Sequence, residues 1–73
     1  MVQVFRFKIS VKSPKGAVRQ VVSVPYYDSL QCQVDMRLHC RYLLQLSLRI
    51  VSYAIESEYM DYEQVNIECE HGF

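Results

Sequence analysis

The last third of the chain contains no lysine and no arginine. All eight basic residues lie between Arg6 and Arg49, whereas six of the eight carboxylates lie between Glu56 and Glu70. The first 49 residues therefore carry a net charge of +6, and the rest carry −6. The chain is neutral because two oppositely charged parts cancel. This distribution indicates either a charged partner or the packing of one part on the other.

The sequence also has few residues that interrupt regular structure, with two glycines, two prolines and no tryptophan. It shows no internal repeat or low-complexity tract, and no apolar run approaches the roughly 18 residues of a membrane-spanning helix. The amino terminus, Met-Val-Gln-Val, lacks the pattern of a secretory signal. We therefore expect one small domain over residues 1–73, located in the cytoplasm.

Cysteine and histidine are too sparse to predict a disulfide framework or a metal centre. Cys32, Cys40 and Cys69 are an odd number without framework spacing, so we expect free thiols. With His39 and His71 they form the only candidate ligand set, and its spacing is poor for zinc. The sequence contains no hydrolase or phosphate-binding motif. We expect no catalytic residues, no metal, no cofactor and no enzymatic activity.

Local patterns predict a hairpin at the start of the chain. Over residues 4–12, apolar side chains alternate with basic or polar ones, which is typical of a half-buried strand. The alternation places the core residues on one face and the cations on the other; the core residues are Phe5, Phe7, Ile9 and Val11. Ser13-Pro14-Lys15-Gly16 predicts a turn. The β-branched residues of 17–24 predict a second strand that ends at Pro25.

The middle of the chain supports two interpretations. Apolar and polar residues alternate from Leu30 to Tyr42, which favours an extended third segment at 30–35. Polar residues then recur every three or four positions from Arg37 to Glu56, which predicts one long helix over about 36–59 with Asp35 as its N-cap. Alternatively, Asp28 caps a helix that starts earlier, since Gln31 follows it at capping-box spacing.

Residues 63–70 alternate again, with Val65, Ile67 and Cys69 inward and glutamates outward, so we expect a last strand there. The predicted fold class is α+β: a small antiparallel sheet packed on one long helix, in the order β-β-(β)-α-β. If the first and last strands are neighbours, their opposite charges pair across the sheet. If they lie at opposite edges, the domain has a basic rim and an acidic rim, and pairing of two copies becomes favourable.

Two charged surfaces are candidate binding sites. The first, which we call the acidic tyrosine patch, interleaves carboxylates with tyrosines; its residues are Glu56, Glu58, Tyr59, Asp61, Tyr62 and Glu63. It suits docking on a basic protein surface, with tyrosine as the anchor. The second, the basic hairpin patch, suits nucleic acid, although Phe5 and Phe7 face away from it. Its residues are Arg6, Lys8, Lys12, Lys15 and Arg19.

Val21-Val22-Ser23-Val24-Pro25, followed by a helix and a strand, resembles the start of small antitoxin domains of the HicB type. The chain lacks their glycine-containing motif and their Glu-Ala-rich helix start, so the resemblance assigns no residue a role. In its small size, its lack of catalytic motifs and its acidic, tyrosine-rich patch, the chain also resembles phage-encoded inhibitors, including anti-CRISPR proteins.

The expected function is therefore that of a non-enzymatic protein-binding module of the phage or mobile-element inhibitor type, acting in the host cytoplasm on a larger protein with a basic surface. A nucleic-acid-binding or repressor-like module that uses the basic hairpin patch is the first alternative. A structural homodimer subunit is the second. The composition is half apolar, which favours oligomerisation or partner binding for a chain too short to build a large core.

Overall fold

A computed structural model describes residues 1–71. Over this range the chain forms three strands and two helices, which are β1 (Val2–Lys12), β2 (Val18–Val22), α1 (Ser29–Gln45), β3 (Arg49–Met60) and α2 (Tyr62–His71). The strands form an antiparallel sheet in the order β2-β1-β3, with β1 in the centre. The α+β class and the amino-terminal hairpin are confirmed. The order is β-β-α-β-α, however, and the second helix was not predicted.

The hairpin forms where its local pattern predicts it. Phe7 and Ile9 are fully buried on one face of β1, whereas Arg6 and Lys8 point to the other face. The turn is closed by backbone bonds from the Ser13 N–H to the Ala17 carbonyl at 2.8 Å and from the Gly16 N–H to the Ser13 carbonyl at 2.9 Å. Gly16 has a φ of 90°, a conformation that glycine adopts without strain.

The predicted extended segment at 30–35 is wrong, because α1 begins at Ser29. Asp28 is the N-cap, with its carboxylate accepting a hydrogen bond from the Leu30 N–H at 3.0 Å, so the alternative start is confirmed and Asp35 is not a cap. The alternation arises from two apolar rows, each with a four-residue spacing, that interleave in the sequence. The row that packs on the sheet consists of Cys32, Met36 and Cys40. The row that is solvent-exposed consists of Leu30, Val34, Leu38 and Tyr42.

The predicted helix over about 36–59 is also wrong beyond Gln45. The chain turns at Leu46 to Leu48, where Ser47 adopts a positive φ of 63° and the Leu48 N–H bonds to the Leu43 carbonyl at 3.2 Å. Residues 49–60 then form β3 along the free side of β1. The β-branched residues of this segment and its long ladder with β1 outweigh the helical spacing of its polar residues.

The predicted last strand at 63–70 is a helix instead. Val65 is the buried residue of α2, and Ile67 and Cys69 are exposed. Glu68 lies three positions after Val65, on the same side of the helix, and contacts Arg6 on the outer face of β1. The sheet therefore has α1 on its inner face and α2 on its outer face, where Val4 and Val65 are both fully buried.

The main core lies between α1 and the inner face of the sheet. It contains Phe7, Ile9 and Val11 from β1, and the α1 side chains that meet them are Cys32, Met36 and Leu43. Neither described helix is both long enough and apolar enough to span a membrane.

The three free thiols differ in how deeply this packing buries them. Cys32 is buried, Cys40 is half-buried and Cys69 is exposed, and burial raises the pKa of the Cys32 and Cys40 thiols. Since the thiolate is the reacting form, we expect iodoacetamide to modify Cys69 first, Cys40 more slowly and Cys32 only after unfolding. Peptide mapping after a short labelling pulse measures the order, and a denatured sample is the control. Equal labelling of Cys32 and Cys69 in the folded protein would contradict the packing of α1 on the sheet.

Candidate protein-binding surface

Arg6 joins the two oppositely charged parts of the chain. Its Nε donates to Glu58 Oε1 of β3 at 2.5 Å, and its Nη2 donates to both Glu68 carboxylate oxygens of α2 at 3.0 and 2.9 Å. The Arg6 side chain is 18% exposed, and the hydrogen bond to Glu68 is the main cause that raises its pKa. Arg6 thus holds α2 against the sheet by charge-assisted hydrogen bonds.

A third ion pair lies beside the two of Arg6, between Lys8 Nζ and Glu56 Oε2 at 2.9 Å. Cross-strand charge pairing, one of the two arrangements expected from the sequence, is therefore present. The acidic neighbour of β1 is β3, however, and not a strand at 63–70.

These pairs divide the basic hairpin patch. Arg6 and Lys8 are neutralised within the molecule, whereas Lys12, Lys15 and Arg19 are exposed around the β1–β2 turn and join none of the ion pairs found within residues 1–71. The structure therefore does not bring all five cations together as one free surface.

The acidic tyrosine patch is divided as well. Glu56 and Glu58 lie on the outer face of β3 in ion pairs, and Tyr59 projects from the opposite face. Asp61, Tyr62 and Glu63 remain together where β3 passes into α2, and all three are exposed. Neither Asp61 nor Glu63 has an ion-pair partner in the part of the chain that the structure describes.

Tyr27 is the residue that the sequence interpretation missed. Its ring stacks on the ring of Tyr62, with centroids 6.0 Å apart and an interplanar angle of 27°. Both side chains remain exposed, Tyr27 at 50% and Tyr62 at 61%. We call Tyr27, Asp61, Tyr62 and Glu63 the tyrosine–carboxylate surface. No local pattern links Tyr27 to Tyr62, because α2 brings them together over a separation of 35 positions in the sequence.

The neighbouring Tyr26 has a structural environment instead. Its hydroxyl donates to Asp35 Oδ2 at 2.8 Å, and its ring centroid lies 6.3 Å from that of Phe7. Burial is the main cause that raises the Tyr26 pKa, and the Asp35 carboxylate adds to it. Asp35 also accepts from Gln31 Nε2 at 2.9 Å, while the His39 ring packs 5.3 Å from Phe7. The contacts of Tyr26 with Asp35 and Phe7 hold the loop that carries Tyr27.

Two groups of charges outside the ion pairs lie at opposite ends of the sheet, in a molecule whose longest dimension is 41 Å, while Arg37 and Arg41 lie in the middle part of α1. Lys12 pairs in register with Arg49 and Val18 at one end of the sheet, and Lys15 and Arg19 lie nearby. Val2 pairs with Met60 at the other end, next to Asp61 and Glu63. The molecule thus has a basic end and an acidic end, and the tyrosine–carboxylate surface is at the acidic one.

Within residues 1–71, no three histidine, cysteine, aspartate or glutamate side chains lie close enough together to hold a metal ion. The chain matches no family model, no curated protein and no solved structure.

Proposed function

We propose that this protein is a non-enzymatic binding module that docks its tyrosine–carboxylate surface on a basic surface of a larger protein. An inhibitor of the phage or mobile-element type would act in this way, by covering the basic site that its target uses. The observation that supports the proposal most strongly is the stacked, exposed Tyr27–Tyr62 pair, with unpaired carboxylates on the adjoining residues.

Stacking reduces the cost of using these tyrosines as anchors. A side chain that is already held in one orientation loses less rotamer freedom when a partner covers it. Tyrosine is also among the residues that contribute most of the binding energy at protein interfaces. Since both rings remain at least half exposed, a partner can still bury much of their area.

The carboxylates would orient the partner on this surface. Asp61 and Glu63 are exposed and outside the internal ion pairs, so lysines or arginines of a partner can meet them without displacing a cation of the same chain. Such rim charges mainly speed association and select the partner. Glu56 and Glu58 contribute less, because Lys8 and Arg6 already neutralise them.

A quantitative pull-down from host lysate tests the proposal. We expect Tyr62→Ala and Glu63→Lys each to reduce recovery of the partner, and together to abolish it. Tyr42→Ala removes an equally exposed tyrosine from α1, on the other face of the sheet, and Glu70→Lys makes the same charge change at the far end of α2. Both control variants should recover the partner as the wild type does.

Equal recovery by the test and control variants would overturn the proposal. The alternative, a nucleic-acid-binding module, requires the three cations that remain free in the basic hairpin patch, and it predicts a gel shift at low salt that Lys15→Ala with Arg19→Ala removes. A gel shift of that kind, without capture of a protein, would favour this alternative.

A further inference from the structure

The edge of β3 that faces away from β1 is long, and it is unpaired within residues 1–71. β3 has 12 residues and lies at one side of the sheet, and no strand within residues 1–71 pairs with its free edge. The opposite edge, formed by β2, has only five residues, carries Arg19 and is followed by Pro25. Short length, charge and proline are features by which proteins protect sheet edges; β2 has the first two, and Pro25 follows three residues after its end.

The backbone groups along the free edge of β3 are directed outward. Phe7 and Phe5 direct their own N–H and C=O groups away from β3, to Ser23 and Tyr26, at distances of 2.8–3.0 Å. The β3 residues opposite them, Ile55 and Ser57, therefore form the non-hydrogen-bonded pairs of the antiparallel ladder. Their N–H and C=O groups point to the open edge, as do those of Tyr53 and Tyr59, two residues before and after.

The side chains of this edge favour pairing. Residues 50–55 read Ile-Val-Ser-Tyr-Ala-Ile, with no charge, proline or glycine. A segment of six residues with high β-propensity and no charge is the signature of strands that pair with other chains. Val51 and Tyr53 are more than half exposed, so the isolated chain presents both an apolar surface and an unpaired backbone ladder there.

The molecule also exposes more surface than a compact monomer of its size. Its accessible area is 5316 Å², against about 4,700 Å² for a monomeric protein of this mass. Its radius of gyration is 13.1 Å, against about 11 Å for a compact domain of this length. The excess area is about 600 Å², of the same order as the roughly 800 Å² that each partner buries in a standard protein interface.

The charges at the two ends of β3 favour a second copy as the occupant, in an antiparallel arrangement. β3 runs from the basic end at Arg49 to the acidic end at Met60, which is followed by Asp61. When two copies pair through β3 in opposite directions, the basic end of each lies beside the acidic end of the other. A parallel arrangement would place like charges together.

We infer that the protein forms a two-fold symmetric dimer in which the β3 edges pair antiparallel and the two sheets join into one of six strands. This interface uses the backbone of β3 and does not include the Tyr27–Tyr62 pair. The proposed function can therefore fail while the dimer stands, and the reverse also holds.

Sedimentation velocity over a wide range of protein concentrations tests the dimer on the purified chain. We expect the wild type to sediment with twice the mass of one chain. We expect Ser57→Pro to sediment as a monomer, because proline removes an outward N–H and is tolerated where that N–H is not used within the fold. Ser57→Ala keeps the N–H and should remain a dimer. High salt should weaken the wild-type dimer, since its end charges are exposed.

Tyr53→Lys provides a second variant that leaves the backbone intact, and it decides the matter if Ser57→Pro does not fold. Its lysine adds a charge to the apolar stretch and should weaken the dimer at least tenfold. A wild type that is monomeric at every concentration would overturn the inference. So would a dimer that survives both β3 variants, or one that Leu38→Gln on the exposed row of α1 dissociates instead.

Discussion

Phe7→Ala is expected to remove a large part of the stability of the fold. Phe7 is fully buried at the centre of the main core, with the His39 and Tyr26 rings beside it. Truncating a buried phenylalanine to alanine costs about 3–5 kcal/mol, whereas a chain of this length has a total stability of about 4–11 kcal/mol. At about 4–8 °C for each kcal/mol in domains of this size, the midpoint should fall by roughly 12–40 °C.

Thermal unfolding followed by circular dichroism measures this loss. Leu38→Ala is the matched control, because Leu38 is apolar but lies on the exposed row of α1, and it should change the free energy of unfolding by less than about 1 kcal/mol. Similar midpoints for Phe7→Ala and Leu38→Ala would show that α1 does not cover this face of the sheet.

Arg6→Met is expected to destabilise the protein by about 2 kcal/mol and to release α2 from the sheet. The substitution keeps an apolar side chain of similar length but leaves the Glu58 and Glu68 carboxylates without their donor. Hydrogen bonds to charged groups contribute about 1.5–3 kcal/mol. The lower part of that range applies, because both carboxylates retain access to water.

Lys8→Met makes the same change two residues along the same face of β1, at an ion pair that is more exposed than that of Arg6. Surface pairs of this kind contribute about 0–1 kcal/mol, so Lys8→Met should have a small effect. Urea denaturation measures both variants. Adding Glu68→Gln to Arg6→Met should restore part of the loss, since it removes a carboxylate that lacks a partner. An equal effect of the two methionine variants would contradict the role given to Arg6.

The parts of the fold that could be predicted are those set by local sequence. β1 alternates apolar and basic residues with period two, and the Ser-Pro-Lys-Gly turn fixes the return of β2, so the hairpin requires no distant contact to be recognised. The opposite faces of Phe7 and Arg6 follow from the same pattern. Cross-strand charge pairing, one of the two arrangements expected, appears at Arg6 and Lys8, but its acidic partners lie on β3 and not on a strand at 63–70.

The wrong predictions of secondary structure come from residue patterns that fit both a helix and a strand. In α1, a buried row and an exposed row of apolar residues, each spaced by four, combine into an apparent strand pattern. In β3, polar residues happen to keep a helical spacing, but the ladder to β1 decides the structure, and that ladder joins residues 37 to 58 positions apart. Only Asp28, with its cap geometry, gave a local sign of where α1 begins.

Only part of the candidate site could be predicted, because the rest depends on contacts between residues that are distant in the sequence. Asp61, Tyr62 and Glu63 are consecutive, so their patch is visible in the sequence. The stacking of Tyr27 on Tyr62 depends on α2 folding back over the outer face, where Arg6 bonds to Glu68 and Val65 is buried. The register of β3 on β1 places Glu58 and Glu56 in ion pairs with Arg6 and Lys8, which sequence spacing does not reveal either.

The most direct measurement of the proposed function is the dissociation constant for the captured partner, determined by titration calorimetry with the wild type, Tyr62→Ala and Tyr42→Ala. Docking through the tyrosine–carboxylate surface predicts binding at least tenfold weaker for Tyr62→Ala, a loss of about 1.4 kcal/mol or more, and unchanged binding for Tyr42→Ala. Equal dissociation constants for the two variants would contradict it.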